Sequence, residues 1–118
     1  MTGDDLRRIA LSLPEAYEDL HRRRPAFRVN QKIFAMLGVT GDRSLFTSLG
    51  WDNVAVVKLD REDQLNMAAG HPGAIQPTET YGHHGWTYLR LETIDEATLR
   101  TVLRLAWTHV APKRLSKA

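Results

Sequence analysis

The chain has 118 residues, 42% hydrophobic and 25% charged, with 16 Lys+Arg against 14 Asp+Glu for a formal net charge of +2. Those values fit one ordinary globular domain spanning residues 1–118 around a single core. They exclude disulfides, thiol catalysis and cysteine-ligated zinc, because there is no cysteine. No run approaches the roughly 18 apolar residues a membrane span needs. The opening residues do not read as a signal peptide, since Asp4, Asp5, Arg7 and Arg8 interrupt them, so a cytoplasmic protein is expected.

In chain order, Leu6, Ile9, Ala10 and Leu13 are spaced three and four apart and predict one face of a short helix. Thr2 or Asp4 can cap its start, and Pro14 stops it. After a polar connection, Phe27 and Val29 alternate with Arg28 and Asn30 as a strand. Lys32 to Leu37 is apolar on both faces and reads as a central strand. A turn over Gly38 to Asp42 leads to strands at Ser44–Leu49 and Asn53–Leu59. Tight polar turns between such runs argue for an antiparallel meander.

Asp60 then offers a helix N-cap, with Glu62 and Asp63 in the first turn where the helix dipole favours acids. Gly70 and Pro72 close that helix. The run Tyr81-Gly82-His83-His84-Gly85-Trp86 follows, and its paired glycines mark a shaped turn. Trp86 to Leu91 alternates as a strand. Thr93 and Glu96 suggest a capping box for a last helix, whose stripe is Leu99, Val102, Leu103, Ala106 and Val110, with Trp107 at its edge. Pro112 ends it, and the basic tail is expected to fray. Trp51, Trp86 and Trp107 are assigned to the core.

The sum is helix, four strands, helix, strand, helix. This is an α+β class in which an antiparallel sheet carries helices on one face, a two-layer sandwich with its other face partly open.

Charge is unevenly distributed. From His21 to Arg43 six cations face one acid, Asp42, and from Ala97 to the end there are five cations and no acid. Either a basic face for an anionic partner or a set of solvated surface charges accounts for this. Arg28, Tyr88 and Arg90 should project from the open face, where arginines and aromatics suit phosphate contact and base stacking. The candidate nucleic-acid residues are therefore Arg22, Arg23, Arg24, Arg28, Lys32, Tyr88 and Arg90. The candidate ligand loop is Tyr81, His83, His84 and Trp86. There Tyr81 and Trp86 should anchor by packing, while at least one histidine stays accessible.

Chemistry has few footholds. Ser44, Thr47 and Ser48 lack a Gly-x-Ser-x-Gly elbow, and there is no phosphate-cradling glycine loop. Asp60 and Glu62 are better explained as helix-start residues than as an acid/base pair. Adjacent histidines in extended backbone point to opposite faces and chelate one metal poorly. The expectation is no catalytic residue, no metal and no cofactor.

Leu13-Pro14, Pro25-Ala26-Phe27-Arg28-Val29 and Lys32-Ile33-Phe34-Ala35 resemble the N-terminal signature of the MmcQ/YjbR family. Tyr81-Gly82-His83-His84-Gly85-Trp86 resembles its second signature, and Ala106-Trp107 with Pro112-Lys113-Arg114-Leu115 fits its closing helix. The resemblance implies a CyaY-like, double-wing-like α+β fold. Members of the family are commonly labelled DNA-binding by analogy of fold, and fold does not fix function. At Arg22-Arg23-Arg24 this chain departs from many relatives and is more basic. A DNA-binding protein, monomeric or at most a weak homo-oligomer, is one expectation. A protein- or small-ligand-binding module using the cleft near Tyr81–Trp86 is the other. One continuous basic face would support the first, and arginines paired with acids would support the second.

Overall fold

The computed structural model describes residues 1–21, 24–38, 54–78 and 81–116. Arg22, Arg23, Trp51 and the strand expected at Ser44–Leu49 lie outside them. The element order is α1 (Gly3–Leu11), β1 (Tyr17–His21), β2 (Arg24–Val29), β3 (Lys32–Leu37), β4 (Val54–Lys58), α2 (Arg61–Gly70), β5 (Ile75–Pro77), a 3₁₀ turn at Gly82–His84, β6 (Trp86–Arg90), α3 (Glu96–Val110) and α4 (Lys113–Ser116). The strands form one sheet in the order β1-β2-β3-β4-β6-β5. Every neighbouring pair is antiparallel.

Local chemistry sets the boundaries. Thr2 and Asp5 close a reciprocal capping box on α1. Asn30 and Gln31, both at positive φ (54° and 66°), make the two-residue hairpin between β2 and β3. The register slips between Phe27 and Arg28, so that Arg28 faces Ile33 and Phe34 is the extra residue. That bulge lets Phe34 and Ala35 both join the main core, while Met36 turns to the other face.

The main core lies between the sheet and the helices, where Phe27, Val29, Ala55, Val57 and Leu89 meet Leu6, Ile9, Leu99, Val102, Leu103 and Ala106. Trp107 is fully buried there, and its indole N–H donates to the Pro14 carbonyl at 3.0 Å, tying α3 to the segment after α1.

Four expectations are corrected. The polar stretch after Pro14 contains an edge strand, β1, whose residues are exposed on both faces and so carry no alternation. The cap of α3 is Asp95, whose carboxylate accepts from Thr98 N at 3.2 Å. Thr93 instead donates its hydroxyl to the carbonyls of Gly73 and Arg90. The tail after Pro112 does not begin by fraying: it forms α4, held by Leu115 against the core and by an Arg114–Glu15 ion pair. Finally, the second sheet face is not open around Tyr88. A smaller cluster of Ala26, Met36, Val54, Val56 and Tyr88 is buried there, with Ile33 and Trp86 packed against it.

Candidate functional site

The turn before β6 is built from its glycines outward. Gly85 sits at φ +96°, and a Cβ there would lie 2.0 Å from the Leu59 carbonyl oxygen. Only glycine permits that approach, and it brings Leu59 N close enough to donate to Gly85 O at 2.9 Å. A Cβ on Gly82 would come within 2.9 Å of the Pro77 side chain. The turn is closed by bonds from His84 N to Tyr81 O (3.0 Å) and from Gly85 N to Gly82 O (2.9 Å).

Helix α2 clamps this turn through a residue that sequence reading passed over. Gln64 is fully buried, and its amide nitrogen reaches Gly82 O at 2.9 Å, Trp86 O at 3.1 Å and Thr87 Oγ1 at 3.0 Å. Thr87 in turn donates to Gly85 O at 3.0 Å. Arg61 Nη1 donates to both Gln64 Oε1 and Gly82 O. Buried polar groups satisfied in this way fix one geometry. A faint signal was present: Gln64 is the one neutral polar side chain in the opening Arg61-Glu62-Asp63-Gln64 of the helix, three residues from Arg61 and on the same face.

The clamp sets what the turn displays. His83 and His84 are both exposed, with ring centroids 4.0 Å apart and planes tilted by 42°. The expectation that an extended segment would send them to opposite faces fails because the backbone is a 3₁₀ turn. Tyr81 is 58% exposed, so it is not a packing anchor. Trp86 is half-buried against the second-face cluster, with Lys58 Nζ 5.2 Å from its ring. Among the described residues no group of three or more His, Asp or Glu side chains could hold a metal ion.

The sheet candidates do not come together as a phosphate platform. Tyr88 is 0% exposed and cannot stack on a base. Arg24 is 3% exposed. The Arg28 side chain, 20% exposed, is held by Asp19 at 2.9 Å and by the Gln31 carbonyl at 3.1 Å. Arg90 pairs with Glu92 at 3.2 Å. Lys32 is exposed at the start of β3.

Elsewhere Arg7 holds Asp4 and Glu18, Arg8 holds Asp5 and Glu96, Arg100 holds Glu96, and Arg114 holds Glu15. These pairs act on their carboxylates. The Arg114 guanidinium holds Glu15 below the usual carboxylate range, and Arg8 and Arg100 do the same for Glu96. Arg104 lies 5.7 Å over the Trp107 ring.

Among the described residues a six-stranded antiparallel sheet with helices packed on one face, and a clamped turn that exposes Tyr81, His83 and His84, define an α+β domain. The chain matches the YjbR family model over residues 11–109 and belongs to that family. It is similar to the crystal structure of Deinococcus radiodurans protein DR2400, described as a DUF419 domain. The TM-score is 0.72 at 23% identity, covering 98% of this chain and 86% of that one. At that identity the likeness concerns the fold alone. A comparison with curated proteins finds no match. No helix among the described residues is long and apolar enough to cross a membrane.

Proposed function

We propose that this protein is a non-enzymatic binding module that recognises its partner at the corner where α2 meets the Tyr81–Trp86 turn. It does not follow phosphates across its sheet. The observation that carries this reading is where the arginine charges go. Arg7, Arg8, Arg28, Arg90, Arg100 and Arg114 each hold a carboxylate within 3.4 Å. An arginine already neutralised must give up that partner before it can displace counterions from a nucleic acid, which removes much of the gain from phosphate contact. The turn at the corner offers the opposite: a fixed backbone with Tyr81, His83 and His84 exposed. Leu65 of α2 adds an exposed apolar side chain.

Weak DNA binding is the second reading, and one observation favours it. The sequence from Ala97 onward carries no acid. There Arg104 is exposed on α3 beside Thr101 and Thr108, which line a shallow groove with Arg100 and Leu105. DNA contact would then use the outer face of α3 rather than the sheet. A titration against duplex and single-stranded DNA at two salt concentrations separates the readings. The binding-module reading expects affinity no tighter than the ~10⁻⁴ M end of non-specific association, with little change between the two salts. Tight, strongly salt-dependent binding overturns it.

A further inference from the structure

The corner contains a cation held in an unusual way. Arg61 stands at the first position of α2 and is exposed. Its Nη1 is occupied by two neutral acceptors, Gln64 Oε1 and Gly82 O. Among the described residues no carboxylate pairs with it, and its Nε and Nη2 donate to no acceptor. Arg7, Arg8, Arg28, Arg90, Arg100 and Arg114 differ in this respect, since each of them spends its charge on an acid. Here the fork is fixed by the buried Gln64 and a turn carbonyl, which leaves the Nε/Nη2 edge pointing elsewhere with its charge intact. That edge supplies two parallel N–H donors, the geometry that receives a carboxylate in two hydrogen bonds.

The surroundings decide whether an anion is welcome. Asp60, Glu62 and Asp63 flank Arg61 in sequence. Asp60 keeps its charge but turns one carboxylate oxygen onto the start of the helix, where it accepts from Glu62 N at 3.1 Å. At about 100° per residue, Glu62 and Asp63 each lie about 130° around the helix from the midpoint of the Arg61–Gln64 face. They therefore point away from the turn. His83 and His84 follow directly on the Gly82 carbonyl that Arg61 grips, and their imidazoles add donors without negative charge. Lys58 projects with Trp86 on the second face of the sheet and takes no part. Glu79 lies outside the described residues. Leu65 and Tyr81, two of the five exposed large hydrophobic side chains among the described residues, belong to the two elements that meet here.

We infer that the Nε/Nη2 edge of Arg61, which grips the turn that carries His83 and His84, is a carboxylate-binding site, and that Tyr81 and Leu65 receive an apolar group attached to that carboxylate. The inference rests on the binding-module reading and names the ligand class for the same corner: an organic acid with an apolar substituent.

The probe is phenylacetate, titrated while the Arg61 side-chain Nε–H and the backbone amides of His83 and His84 are followed by NMR. Saturable shifts are expected at all three. Arg61→Gln should weaken binding about tenfold or more, as loss of a charge-assisted pair requires. Arg61→Lys, which keeps the charge but not the fork, should lie between, and Arg104→Gln should bind as the parent does. Retained amide dispersion in Arg61→Lys guards against a folding artefact. Shifts that chloride reproduces, inorganic phosphate binding as tightly as phenylacetate, or an Arg61→Gln variant that binds normally would each overturn the site. None of these outcomes bears on salt-dependent DNA binding, so failure here and failure of the binding-module reading are separable.

Discussion

Gly85 is the residue on which the shape of the turn most depends. Its φ of +96° is left-handed backbone, and an added Cβ would sit 2.0 Å from a main-chain oxygen that has no flexible end to swing away. Gly85→Ala is therefore expected to lose about 1–3 kcal/mol from backbone strain, with a further loss from displacing Leu59, read as a lowered urea midpoint. A variant as stable as the parent would mean that the turn is not built as described. The turn itself was legible in the sequence, because two glycines bracketing two histidines mark a shaped turn. The orientation of the histidines was not. Whether two adjacent side chains diverge or stack depends on one helical turn of backbone, and that turn is set by Gln64 and Thr87, which lie 18 and 5 residues from Gly82. A buried amide announces itself through its partners, and partners are a property of the folded chain.

Periodicity decided what could be read at the scale of elements. The stripe on α3 was visible because one face is buried and the other is wet, and the same contrast revealed α1, whereas the central strand β3 showed as a run apolar on both faces. Leu103 lies in the middle of that stripe and is fully buried. Leu103→Ala is expected to cost about 2–5 kcal/mol in a chemical denaturation series, and a loss below about 1 kcal/mol would mean α3 is not docked on the sheet. Strand β1 was illegible for the converse reason. Exposed on both faces, it has no apolar alternation, with Leu20 70% exposed at its edge. Strand β5 is three residues long and ends in Pro77, which a sheet tolerates at an edge. The cap of α3 was misplaced by two residues because Thr93 and Asp95 both satisfy the local pattern. The choice went to Asp95 once Thr93 was drawn to the Gly73 and Arg90 carbonyls.

Across the whole molecule, acid–base pairs join segments distant in sequence: Arg8 of α1 to Glu96 of α3, and Glu15 to Arg114 of α4. Glu15, Glu96, Asp5 and Asp95 are all held below the usual carboxylate range. The causes are, in turn, the Arg114 hydrogen bond, the Arg8 and Arg100 hydrogen bonds, the Thr2 backbone N–H and the Thr98 hydroxyl. A depressed folded pKa means that the unfolded chain binds protons first. These groups therefore contribute stability above the ordinary carboxylate pKa, and that contribution is lost as pH falls through their lower folded values. Stability measured by urea unfolding should hold through neutral pH and decline progressively in the acid range below ordinary carboxylate titration. Because the pairs are exposed, the decline should shrink in high salt. A pH-independent midpoint across that range would contradict the pairing.

The same pairing carries the functional account, because charges spent inside the molecule are not available to a phosphate backbone. The slope of log K against log salt for duplex DNA tests this most directly, since it falls by about 0.9 for each phosphate neutralised. Weak association with a shallow slope, equivalent to no more than about one or two phosphates, is expected. A steep slope, equivalent to six or more phosphates with affinity collapsing about a thousandfold between 50 and 200 mM salt, would show that the arginines abandon their acids for DNA and would contradict it.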